Sequence, residues 1–328
     1  MKNKLLFTLL IAGFMALVAT GAFAQAPVKF PVKPVRILVP YAPGGATDLV
    51  ARPLATKLNE EWGQPVVVEN KPGASGNIAL EAAAKASPDG YTLLVGNVST
   101  NAINETTFAK TLHIKPSRDL TGVTNLIQLP HLFVVNPTLP VSSLKQLVEQ
   151  ARKTRLNYAS AGVGSYPHLD MVVFLKRAGI DMTHVPYKGG AGQMIPAIMG
   201  NEVQCMEINV ASALSNIRAG RIKAIATTWT SRLPELPDVP TVAEEGFPGL
   251  GTNAWNGLFA PAKVPKPVLA RIHASVVKVM ERPDMKEILA KQFMSVVVNK
   301  SPAEFDQFVH NEVKKWGKIV IDNQITVE

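Results

Sequence analysis

Short apolar runs recur along this chain, each followed by a loop of small residues and then by a segment with helical spacing. VRILVPY (35–41) leads through APGGAT into DLVARPLATKLNEEW, where Ala51, Leu54, Ala55, Leu58 and Trp62 share one helical face. VVVEN (66–70) leads through KPGASG into NIALEAAAKA, and YTLLVGN (91–97) is followed by a polar stretch. The pattern repeats at HLFVVNP (131–137) with SSLKQLVEQARK, at LNYAS (156–160) with AGVGS, and at THVPY (183–187) with KGGAG and QMIPAIMG. Two further runs, VQCMEI (203–208) and IKAIATTW (222–229), complete the set. Strands alternating with helices of this length predict parallel or mixed sheets covered by helices, an α/β fold.

Six strand candidates before residue 190 exceed one small sheet. The stretches 110–130 and 228–255 are rich in Pro, Gly and polar residues, and RLPELPDVPTVAEEGFPG carries four prolines that exclude a helix interior. The expected layout is therefore one lobe from 27–125 plus about 236–328, and a second from 126–235. VLARIHASVVKVM and AEFDQFVHNEVKKWGKIV, in the tail, read as amphipathic helices returning to the first lobe.

The N-terminus adds a destination. Lys2 and Lys4, an apolar run from Leu5 to Ala19, and Ala22-Phe23-Ala24 before Gln25 describe a secretory leader over residues 1–24, cleaved near Ala24. The mature protein is expected in the periplasm. Cys205 is the single cysteine, so no intrachain disulfide can form. With Lys2 and Lys4 removed, the net charge falls from +9 to +7, a mild bias toward anions. The basic residues are scattered and lack the aromatic interleaving that single-stranded nucleic acid requires, so no nucleic-acid partner is expected.

Which chemistry the loops support follows from what they lack. PGGATD has neither G-x-G-x-x-G nor the Lys-Ser/Thr ending of a phosphate loop, and KPGASG also lacks that ending. What remains is a helix start whose free N–H groups attract negative charge, with Thr47 or Asp48 available as caps. ASAGVGSYPH (159–168) contains two serines and a histidine, but GVGSY is not the G-x-S-x-G of an exposed nucleophile. Its serines can instead serve as hydroxyl donors beside backbone amides. The histidines lack H-x-x-x-H spacing and the lone Cys has no partner, so neither a metal site nor a cofactor is expected.

PYAPGGATDLVAR, NKPGASGN, SPDGYTLL, LNYASAGVGS, HVPYKGG and WNGLFAPAKVPKP, in this order, resemble the tripartite tricarboxylate transporter receptors, or Bug proteins, from about residue 33 to the C-terminus. The resemblance implies a two-lobed periplasmic binding protein fold, type II-like, with a hinge and a crevice between the lobes. It implies a solute-binding receptor, not an enzyme, that closes over a small mono-, di- or tricarboxylate, aromatic acids included, and delivers it to membrane permease subunits. A monomer is expected. Carried over, the ligand-binding residues are Tyr41, Gly44, Gly45, Ala46, Thr47 and Asp48 from the first lobe, and Ser160, Ala161, Gly164, Ser165 and His168 from the second. Ser99, Tyr187 and Gly189 are weaker transfers.

Three positions depart from the family pattern. Ser75 stands where Gly is usual, which offers a hydroxyl near the site. Pro53 replaces an aliphatic residue and predicts a kink. In VQCMEINVASAL, Ile208 replaces an acid that can meet a ligand amine, which leaves Asn209 as the nearest polar residue and disfavours amino-acid ligands. Two other readings stay open: an exported hydrolase using Ser165 and His168, and a sensor that presents its closed form to a signalling membrane protein.

Overall fold

The computed structural model describes residues 29–187, 189–251 and 254–325. The expected leader and Lys188 lie outside the described residues. Among the described residues, eleven strands form two mixed sheets. The first contains β1 (Val35–Val39), β2 (Val66–Asn70), β3 (Thr92–Asn97), β4 (Leu120–Leu129), β10 (Ala254–Pro261) and β11 (Ser295–Val296), in the spatial order β11-β4-β10-β3-β1-β2. The second contains β5 (His131–Val135), β6 (Asn157–Ser160), β7 (Thr183–Pro186), β8 (Cys205–Asn209) and β9 (Lys223–Thr227), in the order β7-β6-β8-β5-β9.

The strands expected from the apolar runs are parallel where a helix intervenes: β1 with β2 and β3, and β6 with β7 and β8. The antiparallel pairs are β5 with β8 and β9, β10 with β3 and β4, and β11 with β4; of these strands the pattern did not announce β4, β10 and β11. β4, read from sequence as part of a crossing segment, is a ten-residue strand between β11 and β10. Its LTGVTNLIQL breaks the apolar run with Thr124 and Asn125, both buried. Thr124 Oγ1 accepts from the Asn299 main-chain amide at 2.8 Å, and Asn299 Oδ1 accepts from the Asn125 main-chain amide at 2.9 Å, while the Asn125 side-chain oxygen has no partner. β10 is buried along its whole length, and at its centre a side chain on Gly257 would collide with the ring of Phe305.

The chain passes between sheets twice. Pro130 alone separates β4 from β5. The second passage begins after β9, but its first part stays with the second sheet. The Val242 amide donates to Thr227 O, and Val242 and Leu250 sit in one apolar cluster with Phe133 and Phe174.

Helices cover both sheets. The long ones are α1 (Ala46–Trp62), α2 (Asn77–Ala84), α5 (Leu144–Lys153), α6 (Tyr166–Ala178), α7 (Ala191–Met199), α8 (Val210–Arg218), α9 (Lys266–Met280), α10 (Pro283–Ala290) and α11 (Pro302–Asp322). Short turns, α3 (Asn104–Thr107) and α4 (Pro116–Asp119), fill the path from β3 to β4. α1 runs continuously through Pro53. Of the tail helices, α9 lies on α1, and α11 lies on β4 and the turn after β3.

Candidate functional site

β1, β3, β6, β7 and β8 each empty into a helical turn, so the carboxyl ends of the inner strands converge on one crevice. A cavity of about 90 Å³ lies there. At roughly 10–15 Å³ of such space per water-sized atom, it has room for a molecule of roughly six to nine non-hydrogen atoms.

The first wall is the loop into α1. Tyr41, Gly45, Ala46 and Thr47 line the cavity. Gly45 is extended at the cap position, and its carbonyl accepts from Asp48 N and Leu49 N, both at 2.9 Å. The amides of Ala46 and Thr47, earlier in that turn, have no carbonyl within the helix to bond. Thr47 is 2% exposed, and its hydroxyl has no hydrogen-bond partner. Gly44 and Asp48 do not line the cavity; they build the loop. Asp48 is buried and accepts from the Gly44 amide at 3.1 Å, Arg52 Nε at 2.8 Å and Asn70 Nδ2 at 3.0 Å. Asn70 Nδ2 also donates to Tyr41 O. Burial alone would raise the Asp48 carboxyl, but the bonds from Arg52, Asn70 and Gly44 together hold it below its ordinary value.

The opposite wall belongs to the second sheet. Ala161, Gly189, Gly190, Ala191, Gly192 and Asn209 line it. Gly190 caps α7, whose first turn leaves the Ala191 and Gly192 amides unbonded within the helix. Asn209 Oδ1 accepts from Ser212 N at 2.8 Å and starts α8. Ile208 faces the other way, into the apolar cluster with Leu132 and Met206.

The loop ASAGVGSYPH spends most of its polar groups on itself. Ser160 Oγ sits 3.1 Å from the Gly162 amide and 2.6 Å from His184 Nε2. Ser165 Oγ donates to Gly162 O at 2.7 Å, and His168 Nδ1 accepts from Gly164 N at 3.1 Å. Ser160, Gly164, Ser165 and His168 therefore stand outside the cavity lining, and Ser165 has no bond to His168. Burial, with His184 beside it, lowers His168 to about 3, and burial lowers His184 to about 4, so the stacked rings (centroids 4.1 Å apart) are neutral. The Tyr187 hydroxyl donates to Glu202, away from the site.

This same loop touches the first lobe. Ser99, which lines the cavity, accepts from Tyr166 N at 2.8 Å, and Ser75 Oγ donates to Val163 O at 3.4 Å. Gly164 has φ +76°, and a Cβ there would collide with Thr107. The lobes are closed on each other.

The floor comes from segments that sequence reasoning passed over or left undecided. Asn97, His131, Tyr166, Trp255 and Asn256 line it. Trp255 does two things: it lines the cavity, and its indole donates to Glu312 of α11 at 3.0 Å. Asn256 is 3% exposed with Nδ2 unpartnered. The signal that was available for His131 is its place directly after Pro130, at the crossing. Among the described residues, no Asp, Glu, Lys or Arg lines the cavity, and no cluster could hold a metal ion.

The sequence profile of the tripartite tricarboxylate transporter family receptor matches residues 50–325. The chain belongs to this family. It is 32% identical to the protein BugT of Bordetella pertussis over 95% of this chain and 97% of that one. Two solved structures carry the likeness into three dimensions. R. palustris Rpa4515, solved with adipate, superposes with a TM-score of 0.86 at 31% identity, covering 90% of this chain and 99% of that one. MatC from Rhodopseudomonas palustris, with bound malate, superposes with a TM-score of 0.82 at 33% identity, covering 89% and 100%. The fold is the two-lobed α/β fold of periplasmic binding proteins, and the protein is a solute-binding receptor of the tripartite tricarboxylate transporter family.

Proposed function

We propose that this receptor captures a small organic carboxylate in the cavity between its sheets and presents the closed form to permease subunits in the membrane. One observation carries the reading. The first-turn amides of α1 and the buried, unpartnered hydroxyl of Thr47 face a closed cavity that is itself free of carboxylate side chains. Such a wall suits an anion. The α7 start offers donors from the second lobe and Asn256 Nδ2 one from the floor, so one ligand bridges both lobes. Malate, carried by one of the two related structures, is of the size that the cavity admits, and adipate, carried by the other, is slightly larger.

Each charge-assisted hydrogen bond contributes about 1.5–3 kcal/mol. Four to six of them, sealed from water, support roughly micromolar affinity after ordering costs. Because both lobes touch the ligand, binding favours closure. The ligand-contact set in this proposal is Tyr41, Gly45, Ala46, Thr47, Ser99, Ala161, Gly189 and Asn209, joined by Asn97, His131, Trp255 and Asn256. Asp48, Gly44, Ser160, Ser165 and His168 act as loop organisers; Gly164, Ser75 and Thr107 act in closure. Export with loss of residues 1–24, a monomeric state and the absence of catalysis belong to the same proposal. The bonds made by Ser165 and His168 speak against a hydrolase.

A thermal-shift panel of mono-, di- and tricarboxylates, aromatic acids and amino acids tests it. The expected result is a large upward shift for a carboxylate class with no product formed. Turnover of an ester or amide, with no shift by any anion, would sink the receptor reading.

A further inference from the structure

The ionisable groups closest to the cavity lie under its floor. His131 lines the cavity from β5, and its Nδ1 stands 2.6 Å from Oε1 of Glu207 on the neighbouring strand β8. Glu207 is fully buried, and apart from that 2.6 Å contact neither His131 Nδ1 nor either Glu207 oxygen has a hydrogen-bond partner. Asp170 of α6 is also buried, with Oδ2 unpartnered. Tyr166, one turn earlier on α6, bonds Asp170 and packs edge-on against the His131 ring at 4.7 Å between centroids. From α11, Lys315 acts on Asp170 at longer range. Glu312 of the same helix is engaged by the indoles of Trp255 and Trp316. Thr228, which bonds the His131 amide, and Trp255 and Asn256 on β10 carry no charge.

A buried carboxyl with an open oxygen and no cation against it is most stable protonated. Burial raises Glu207 well above its ordinary value; burial together with Glu207 does the same to Asp170. The pair is then Glu207–COOH donating to a neutral imidazole, with the ring proton on Nε2. In this state the described residues that line the cavity carry no charge. Helix starts supply partial charges for one carboxylate, but the described lining holds no cation for a second. A second anion beside His131 reverses the balance, because an opposite charge at contact favours the protonated ring.

We infer that His131, held by Glu207, determines selectivity for doubly charged ligands, and that the pair takes one proton from water when a dicarboxylate binds. After uptake, Nδ1–H donates to Glu207 Oε1 while the Glu207 proton moves to Oε2, the oxygen now without a partner. His131 contacts the ligand; Glu207 is a positioning residue. The inference rests on the carboxylate reading of the cavity and adds the ligand charge and the proton.

The sign follows from linkage. Without ligand, burial keeps His131 neutral down to about 4. With a dianion present its pKa is higher, so between those two values affinity rises as pH falls, by up to tenfold per unit. Calorimetric titration of the full chain at pH 6.5, with succinate, malate, adipate and hexanoate in two buffers of different ionisation heat, reads the proton directly. The expected result is proton uptake with a dicarboxylate and none with hexanoate. In His131→Asn, uptake vanishes and dicarboxylate affinity drops about tenfold, while hexanoate affinity stays within about twofold. Glu207→Gln, which keeps the neutral shape and a donor to Nδ1, retains uptake. Equal heats in both buffers for the wild type, uptake surviving in His131→Asn, or its loss in Glu207→Gln would overturn the inference. So would binding of hexanoate with no dicarboxylate bound, and in each of these cases the carboxylate reading stands. Failure of every carboxylate to bind overturns both.

Discussion

Two loops of this receptor look alike in sequence and end in opposite roles. YAPGGATD and ASAGVGSYPH both carry small residues from a strand end into a helix start. The first leaves its helix start open. Its acid, Asp48, is turned away from the cavity and fastened by Gly44, Arg52 and Asn70, so the backbone is held from outside. The second consumes its own start. Pro167 has no N–H to offer, the Tyr166 amide is taken by Ser99, and the hydroxyls of Ser160 and Ser165 close back on Gly162. The lesson is that a helix start binds a ligand only when other groups satisfy the loop around it. Here the first loop grips and the second latches, while the cavity wall expected of the second is supplied largely by α7.

The comparison can be broken in four ways. Gly45→Leu places a side chain where the added Cβ meets nothing closer than Ala42 O at 3.9 Å. The fold should survive while carboxylate affinity falls at least about 100-fold, roughly 2.7 kcal/mol; unchanged titration curves would remove this loop from the site. Asp48→Asn strikes the fastening and should cost about 1.5–3 kcal/mol of stability at pH 7. Asp48 is depressed in the folded state, so its contribution is present above the unfolded value of 3.8 and disappears as pH falls through the lower folded value. Urea midpoints of the two proteins should therefore converge in acid, and a constant gap would contradict that origin.

Gly164→Ala tests the latch without touching the cavity. A left-handed backbone and the collision with Thr107 should open the lobes and weaken binding about tenfold, about 1.4 kcal/mol, visible as a larger radius of gyration by small-angle scattering. An unchanged radius with unchanged affinity would mean that the contact is incidental to closure. Thr47→Val gives the finest test, because its two effects have opposite sign. Removing a buried, unpartnered hydroxyl should raise the melting temperature of the ligand-free protein, by about 1 kcal/mol, and lower carboxylate affinity about tenfold. Movement of both in the same direction would show that the hydroxyl never meets the ligand.

Much of this was legible along the chain. VRILV, TLLVGN and CMEIN are largely buried strands with a parallel neighbour, and an apolar run is most of what such burial asks; VVVEN, at the sheet edge, is only partly buried. β4 and β10 escaped because their interior positions hold Thr124, Asn125, Asn256 and Gly257, which break the apolar run; Thr124 is bonded by Asn299 and Gly257 makes room for Phe305, both far away in sequence. The grip of the first loop could be anticipated from Gly45, Ala46 and Thr47. The withdrawal of the second was half visible in Pro167, which removes an amide wherever it stands. Ser99, the other half, is a neighbour only after the lobes close.

What the sequence determined by itself was local: which runs become strands, which turns start helices, and that the opening loop lacks the residues for nucleotides or for a nucleophile. Those properties depend on spacing within a few residues. The tertiary structure decided which helix starts remain unpaired, that His131 and Glu207 meet across adjacent antiparallel strands, and that the cavity is closed by Ser99 and Thr107 against the second lobe. Hydrogen-bond partners and burial are properties of pairs brought together from distant parts of the chain, and no local pattern of residues encodes them.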